Sequence, residues 1–243
     1  MDSPSYDFWL LDLDGTLVDI EPDYLQSVMA EVGDRVGYSF DEREAEVLWH
    51  GLGGSRNEQL AAWGLDPEPF WEAFHAVENA ERRADHAFLY DDAEWVGDLD
   101  RPVGLVTHSQ QHLSDAVLDR LDIRDWFDAV VCCTDDLGWK PDPAPMRRAM
   151  RDLGVAAGDD PIGHGIMVGD SPQDVGAAWN VGLDGAHVER HGHDHRGMCV
   201  LADHRLTRLD ELWDRPTAGR AGDPVGDELP GGFVGSGDPP AMD

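Results

Sequence analysis

Lysine is almost missing from this 243-residue chain: 17 of its 18 basic residues are Arg, and Lys140 is the single lysine. Basic charge as a whole is scarce, with 18 Lys+Arg against 50 Asp+Glu and a formal net charge of -32. A surface of that sign repels nucleic acid phosphates and anionic membranes, which argues against both as partners. It also repels itself, and salt relieves the repulsion because the Debye length falls to about 3 Å at 1 M. The composition reads as that of a protein adapted to concentrated salt. Cysteine is scarce too. Three residues, with Cys132 and Cys133 adjacent, give neither a disulfide framework nor a zinc-ligand spacing. No apolar run approaches the ~18 residues needed to cross a bilayer. Met1 to Tyr6 carries no basic segment leading into an apolar one, so no secretory signal is expected and the expected location is a reducing cytoplasm. What the chain does have is 41% hydrophobic residues and nine Trp. That suffices for a packed core, in a length that holds one α/β domain and a smaller insertion.

Short apolar runs bounded by polar residues or Gly recur along the chain: Phe8 to Leu11, Val103 to Val106, Ala129 to Cys132, Ile166 to Val168 and, more weakly, Ala186 to Val188. Runs of this kind suit strands buried on both faces of a parallel sheet. Helical spacing appears between them, over Ser109 to Leu121 (with Ser109 or Ser114 as a cap), Pro143 to Leu153 and Asp174 to Asn180. The alternation predicts an α/β fold with a doubly wound parallel sheet. Residues 19–90 break the rhythm. They read as helices over Asp23 to Val36, Asp41 to Trp49 and Glu68 to Arg83, with no convincing strand. The expected organisation is a core over 1–18 and 91–215, a helical cap over 19–90, and an acidic Gly- and Pro-rich tail over 216–243 whose composition predicts disorder.

In open α/β sheets the active site forms beyond the carboxyl ends of the strands. There the sequence places Asp12-Leu13-Asp14-Gly15-Thr16 after the first strand and Thr107 after the second. Lys140-Pro141 lies in the loop beyond the third, and Gly169-Asp170 to Asp174 follow the fourth. Asp12 and Asp14, two apart, point the same way in extended backbone and repel unless a cation lies between them. Asp170 and Asp174 bring further carboxylates to the same edge. Hard oxygen ligands with no His or Cys beside them favour Mg²⁺, with Asp12, Asp14, Asp170 and Asp174 as its candidate residues. In so acidic a chain a single Asp carries little weight; the ordered set does. Arg stands almost everywhere else a cation is tolerated, so a lone compact ammonium at this edge is chemically pointed.

These four segments, in this order, closely resemble the motifs of the haloacid dehalogenase superfamily of phosphotransferases. Asp12 to Thr16 matches its Asp-x-Asp-Gly-Thr, Thr107 its strand-ending Thr or Ser, Lys140-Pro141 its Lys before Pro, and Gly169 to Asp174 its Gly-Asp-x-x-x-Asp. The insertion resembles the helical cap of the phosphoglycolate phosphatase and β-phosphoglucomutase branch. The resemblance implies an enzyme, a phosphoric monoester hydrolase in which Asp12 is the nucleophile and Asp14 the acid/base. It implies that Thr107 and Lys140 hold phosphoryl oxygens, and that Mg²⁺ is held by Asp12, the Asp14 carbonyl and Asp170, with Asp174 ordering the shell. An acid/base Asp at position 14 disfavours dehalogenation. His108 departs from the Asn that many relatives carry and is a candidate donor to phosphate or substrate.

Other features have two readings. Gly51 to Arg56 is either an ordinary interhelical loop or a cap loop in which Arg56 meets an anionic substrate. His187, His191, His193 and His195 read as a surface loop ahead of a transition-metal site. Trp49, Trp63 and Trp71 read as cap packing. The expected partner is a small phosphorylated metabolite. A sugar phosphomutase and a non-catalytic protein that retains the fold stay open as alternatives, and oligomeric state is not legible.

Overall fold

The computed structural model describes residues 6–191 and 200–212. The chain enters on β1 (Phe8–Leu11) and turns into β2 (Val18–Ile20). Five helices follow, α1 (Pro22–Val36), α2 (Glu42–His50), α3 (Arg56–Ala62), α4 (Pro67–Val77) and α5 (Ala80–Asp85), before β3 (Ala87–Leu89). It continues through β4 (Val103–Thr107), α6 (Gln111–Arg120), β5 (Ala129–Cys132) and α7 (Pro143–Asp152). The remainder is β6 (Ala156–Ala157), β7 (Asp160–Pro161), β8 (Gly165–Gly169), α8 (Pro172–Asn180), β9 (Asp184–Val188) and β10 (His204–Leu206).

Six strands form one sheet in the order β10-β9-β8-β1-β4-β5, and every neighbouring pair is parallel. The fold is the doubly wound α/β sheet. β1 has no polar face because both its sides are covered: Trp9 and Leu11 join one apolar cluster, Phe8 and Leu10 the other. That period of two is why the run is continuously apolar. From β1 the chain returns at β4 and moves outward to β5. It then crosses back through α7 to β8 on the other side of β1. The order reverses there, which opens a crevice at the strand ends.

The helical insert has an apolar cluster of its own, built around Tyr24, Val28, Leu48, Leu60 and Phe70. Contrary to the strand-free reading of residues 19–90, β2 and β3 pair antiparallel where the insert leaves and rejoins the sheet. Three-residue strands are too short to show an alternation. The continuous helix expected from Glu68 to Arg83 is two helices. Val77 ends the first, and the Asn79 side chain accepts the Arg82 N–H at 3.0 Å to start the second. Neither serine caps α6, whose N-cap is Gln110. The strand β10, not anticipated, extends the sheet beside β9. The acidic tail over 216–243, His193 and His195 lie outside the described residues.

Candidate active site

The first loop leaves the sheet tightly. The Asp12 N–H still donates to the Val168 carbonyl at 2.9 Å, and the Leu17 and Val18 amides both fold back on the Leu13 carbonyl. Gly15 sits at φ 74, where a Cβ would lie 2.6 Å from Asp170 Oδ2. Only glycine lets the loop after β1 pass so close to the loop after β8. The same economy recurs at Gly169, where a Cβ would fall 2.1 Å from Asp174 Cγ.

Lys140, from the loop between β5 and α7, reaches across this crevice. Its Nζ lies 2.7 Å from Asp12 Oδ1, 2.7 Å from Asp174 Oδ1 and 2.8 Å from the Val106 carbonyl, and the residue is buried. Asp174 is fixed from the other side, since its Oδ2 accepts the Ser171 N–H at 3.1 Å and hydroxyl at 2.6 Å. Asp12, Asp170 and Asp174 each present an oxygen within 4.8 Å of the others. Burial pushes the Asp12 carboxyl up to about 7, against the pull of Lys140 and with the help of Asp174. Burial acts on Asp174 in the same sense, but Lys140 outweighs it and holds that carboxyl below its usual range. Burial alone would depress the Lys140 ammonium; its two carboxylate partners raise it instead. Three carboxylates against one ammonium leave a surplus of negative charge in a buried pit. An all-oxygen set with that surplus fits a hard divalent cation.

The Asp14 carboxylate is not in this trio. Residue 14 already lies in the turn that bridges to Val18, so the extended geometry that would aim it alongside Asp12 is lost. Its Oδ1 accepts from Arg83 Nη2 at 2.6 Å, and its Oδ2 accepts the Ser109 hydroxyl at 2.5 Å. Arg83 belongs to α5 in the insert and also pairs with Glu78. Burial raises Asp14, yet Arg83 and Ser109 prevail and keep it below the ordinary carboxylate range. The cation that relieves the Asp12–Asp14 repulsion on this side is therefore an arginine. Both Asp14 carboxylate oxygens are thus engaged by Arg83 and Ser109 rather than by the trio, which leaves the backbone carbonyl as the Asp14 oxygen better suited to a metal beside Asp12.

Thr107, buried at the end of β4, accepts the Ser109 N–H on its hydroxyl at 3.0 Å. His108 packs edge-on against Trp139 with ring centroids 5.5 Å apart. Burial, then Lys140, lowers its pKa to about 3, so the imidazole is neutral. Among the described residues its buried Nε2 has no hydrogen-bond partner. Both His108 and Asp14 border a cavity of about 810 Å³ between insert and sheet edge, walled by Trp49, Phe70, Trp71, Phe74 and Trp139. Arg56 also borders it. Its guanidinium is engaged by the Leu48 and Trp49 carbonyls, at 2.6 and 2.7 Å, where it closes the end of α2. Trp49 and Trp71 thus line a cavity as well as packing the insert, while Trp63 packs on Phe40.

His187 is a correction to the surface-loop reading: it is fully buried in β9, with Nε2 2.9 Å from the Asp170 carbonyl. Arg83, Glu78 and Ser109 contribute to the site and were not assigned to it from sequence. In a chain with 17 Arg, nothing local distinguishes Arg83. Among the described residues no helix is long and apolar enough to cross a membrane.

A family model described as haloacid dehalogenase-like hydrolase matches residues 9–182. The chain is 28% identical over 216 residues to an N-acetylmuramic acid 6-phosphate phosphatase of Pseudomonas putida, spanning 81% of this chain and 92% of that protein. It is 28% identical over 180 residues to a phosphoglycolate phosphatase of Nitrosococcus oceani, spanning 70% and 77%. A haloacid dehalogenase-like family protein of Streptococcus pneumoniae superposes with a TM-score of 0.66 at 18% identity, over 86% of this chain and 97% of the other.

Proposed function

The chain belongs to the haloacid dehalogenase-like hydrolases, and from that membership we propose that it is a Mg²⁺-dependent phosphatase acting on a small phosphorylated metabolite. The observation that carries this reading is the Lys140 ammonium held between Asp12, Asp174 and the end of β4, beside the carboxylate trio.

Asp12 is the nucleophile: its free oxygen forms a bond to phosphorus as the bond from phosphorus to the leaving oxygen breaks. Lys140 fixes the other oxygen and so aims the attack. Asp14, taking up a proton once its pairing with Arg83 loosens, gives that proton to the leaving oxygen, then takes one from the water that cleaves the acyl phosphate. Dividing one displacement between two steps is the benefit of covalent catalysis. Thr107 and Lys140 hold non-bridging oxygens, and positioning with charge neutralisation supplies most of the rate. Asp12, Asp170 and the Asp14 carbonyl would hold Mg²⁺, with Asp174 ordering them; the ion would neutralise charge on the transferring group. Residues 19–90 act as the cap that closes the cavity over this chemistry.

The relatives are named as phosphatases of N-acetylmuramic acid 6-phosphate and of phosphoglycolate. A cavity of about 810 Å³ with five aromatic walls is far larger than a two-carbon acid needs and supports a ring-sized leaving group. The test is steady-state hydrolysis of a panel in high KCl, with and without Mg²⁺, comparing sugar and amino-sugar 6-phosphates with 2-phosphoglycolate. The expected result is Mg²⁺-dependent turnover with a higher kcat/KM for ring-bearing substrates, abolished in Asp12→Asn. A preference for phosphoglycolate would overturn the size reading. No turnover of any phosphoester, aryl phosphate included, would overturn the phosphatase reading.

A further inference from the structure

Outside the catalytic pit, three metal-ligating side chains from distant parts of the chain meet. They are Asp19 on β2, His50 at the end of α2, and His191 just beyond β9. Each offers a ligand atom, and the three atoms lie within 4.8 Å of one another. The two imidazole rings stand 4.1 Å apart at 46°. We propose that Asp19, His50 and His191 form a second metal site, specific for a borderline transition-metal ion such as Zn²⁺, that fastens the helical insert to the sheet.

The supporting contacts are those a metal site needs. The Asp19 carboxylate is oriented by the Tyr90 hydroxyl on Oδ2 at 2.6 Å and by the Ile20 N–H on Oδ1 at 2.8 Å. A carboxylate has about four lone-pair positions, so two remain for an ion. Such outer contacts set ligand orientation and basicity. The approach to His191 is fixed as well. Arg190, its chain neighbour, grips Asp92 through two bonds of 2.7 and 2.9 Å and the Thr16 carbonyl at 2.6 Å, with its guanidinium 3.8 Å over the Tyr90 ring. One network around Tyr90 thus holds Asp19, on the β2–β3 neck of the insert, and the segment leading to His191 on the core, and His50 arrives on α2.

Donor chemistry separates this cluster from the first. Three carboxylates suit Mg²⁺; two imidazoles and one carboxylate suit Zn²⁺, Co²⁺ or Ni²⁺. Three protein ligands leave further coordination positions to water. Zinc–nitrogen bonds of about 2.0–2.1 Å place tetrahedral ligand atoms about 3.3 Å apart, a spacing inside the 4.8 Å within which the three atoms already lie.

The test uses the full chain in excess Mg²⁺, added to fill the carboxylate pit that the proposed function assigns to it, titrated with Co²⁺ and followed by visible absorption. The expected result is one equivalent of Co²⁺ with the spectrum of a nitrogen-ligated ion, displaced by Zn²⁺. Affinity should fall by about tenfold or more in both His50→Gln and His191→Gln and persist in Asp12→Asn, with unchanged far-UV circular dichroism throughout. Absence of a Mg²⁺-resistant Co²⁺ site would overturn the proposal. So would binding that survives both His50→Gln and His191→Gln but is lost in His193→Gln or His195→Gln.

Discussion

Asp12 and Asp14 stand two residues apart, yet their charges are answered from different halves of the molecule. Asp12 is paired inside the α/β core by Lys140, which the sheet itself holds through the Val106 carbonyl. Asp14 is paired by Arg83, which reaches it from the insert. The first arrangement persists whatever the insert does. The second exists only while the insert lies against the sheet. The proposed nucleophile is thus set by the core, while the proposed acid/base is tuned by the position of the insert. A displacement of α5 would release Asp14 from the cation that keeps it ionised.

The strongest way to probe the core half is Lys140→Met. It strands Asp12 and Asp174 in the pit without their cation, and breaking a buried pair costs about 3–5 kcal/mol. We expect loss of detectable turnover and a clear fall in Tm. A stable, active variant would show that Lys140 is not the counter-ion its position implies. Lys140→Arg should also be severely impaired, because a planar fork cannot replace an ammonium held among three acceptors.

Arg83→Met probes the insert half, and its effect should be smaller on activity but specific in kind. Removing Arg83 raises the Asp14 pKa, because it takes away the largest opposition to burial and leaves chiefly Ser109 and Lys140. The protonated form persists to higher pH, so the limb of the kcat profile governed by Asp14 moves upward; Arg83→Lys should move it part of the way back. The linked stability term has a definite sign. A depressed Asp14 stabilises the fold above the unfolded carboxyl pKa of about 3.9 and ceases to do so as pH falls through its folded value. The acid-side stability of Arg83→Met should therefore vary less with pH than that of the parent. An unchanged activity profile would mean that the insert does not tune Asp14.

The smallest effect is expected from Trp71→Ala, at the aromatic wall. Its indole borders the cavity and donates to Asn57 at 2.7 Å. Loss of a stacking face worth about 0.5–1.5 kcal/mol should raise KM roughly 2- to 13-fold for a ring-bearing substrate and leave kcat largely intact. Equal effects on phosphoglycolate would place Trp71 in the packing of the insert alone.

Legibility in the sequence followed how local each signal was. Phe8–Leu11 is a strand over the very run that read as one, because burial on both faces leaves a contiguous apolar signature; Ala129–Cys132, at the sheet edge and half-buried on alternate residues, is also a strand over the run that read as one. β2, β3 and β10 have three residues each, and their pairing supplies what their composition does not announce. The break at Glu78 and Asn79 was hidden because each flanking segment is helical by itself. Ser109, read as a cap, instead gives its hydroxyl to Asp14 across 95 positions.

Chemistry divided along the same line. The order of residues alone determined that two carboxylates, a hydroxyl, one lysine and two further carboxylates follow successive buried strands, since a parallel sheet sends all its carboxyl ends to one edge. Which of those carboxylates share a pit and which turns to the insert was decided by tertiary structure. So was the meeting of Asp19, His50 and His191, and the choice of Arg83 among 17 arginines. The physical reason is range. Strand burial is written in neighbouring residues, whereas a counter-ion is whatever cation the fold brings within about 3 Å, and that distance bears no relation to separation along the chain.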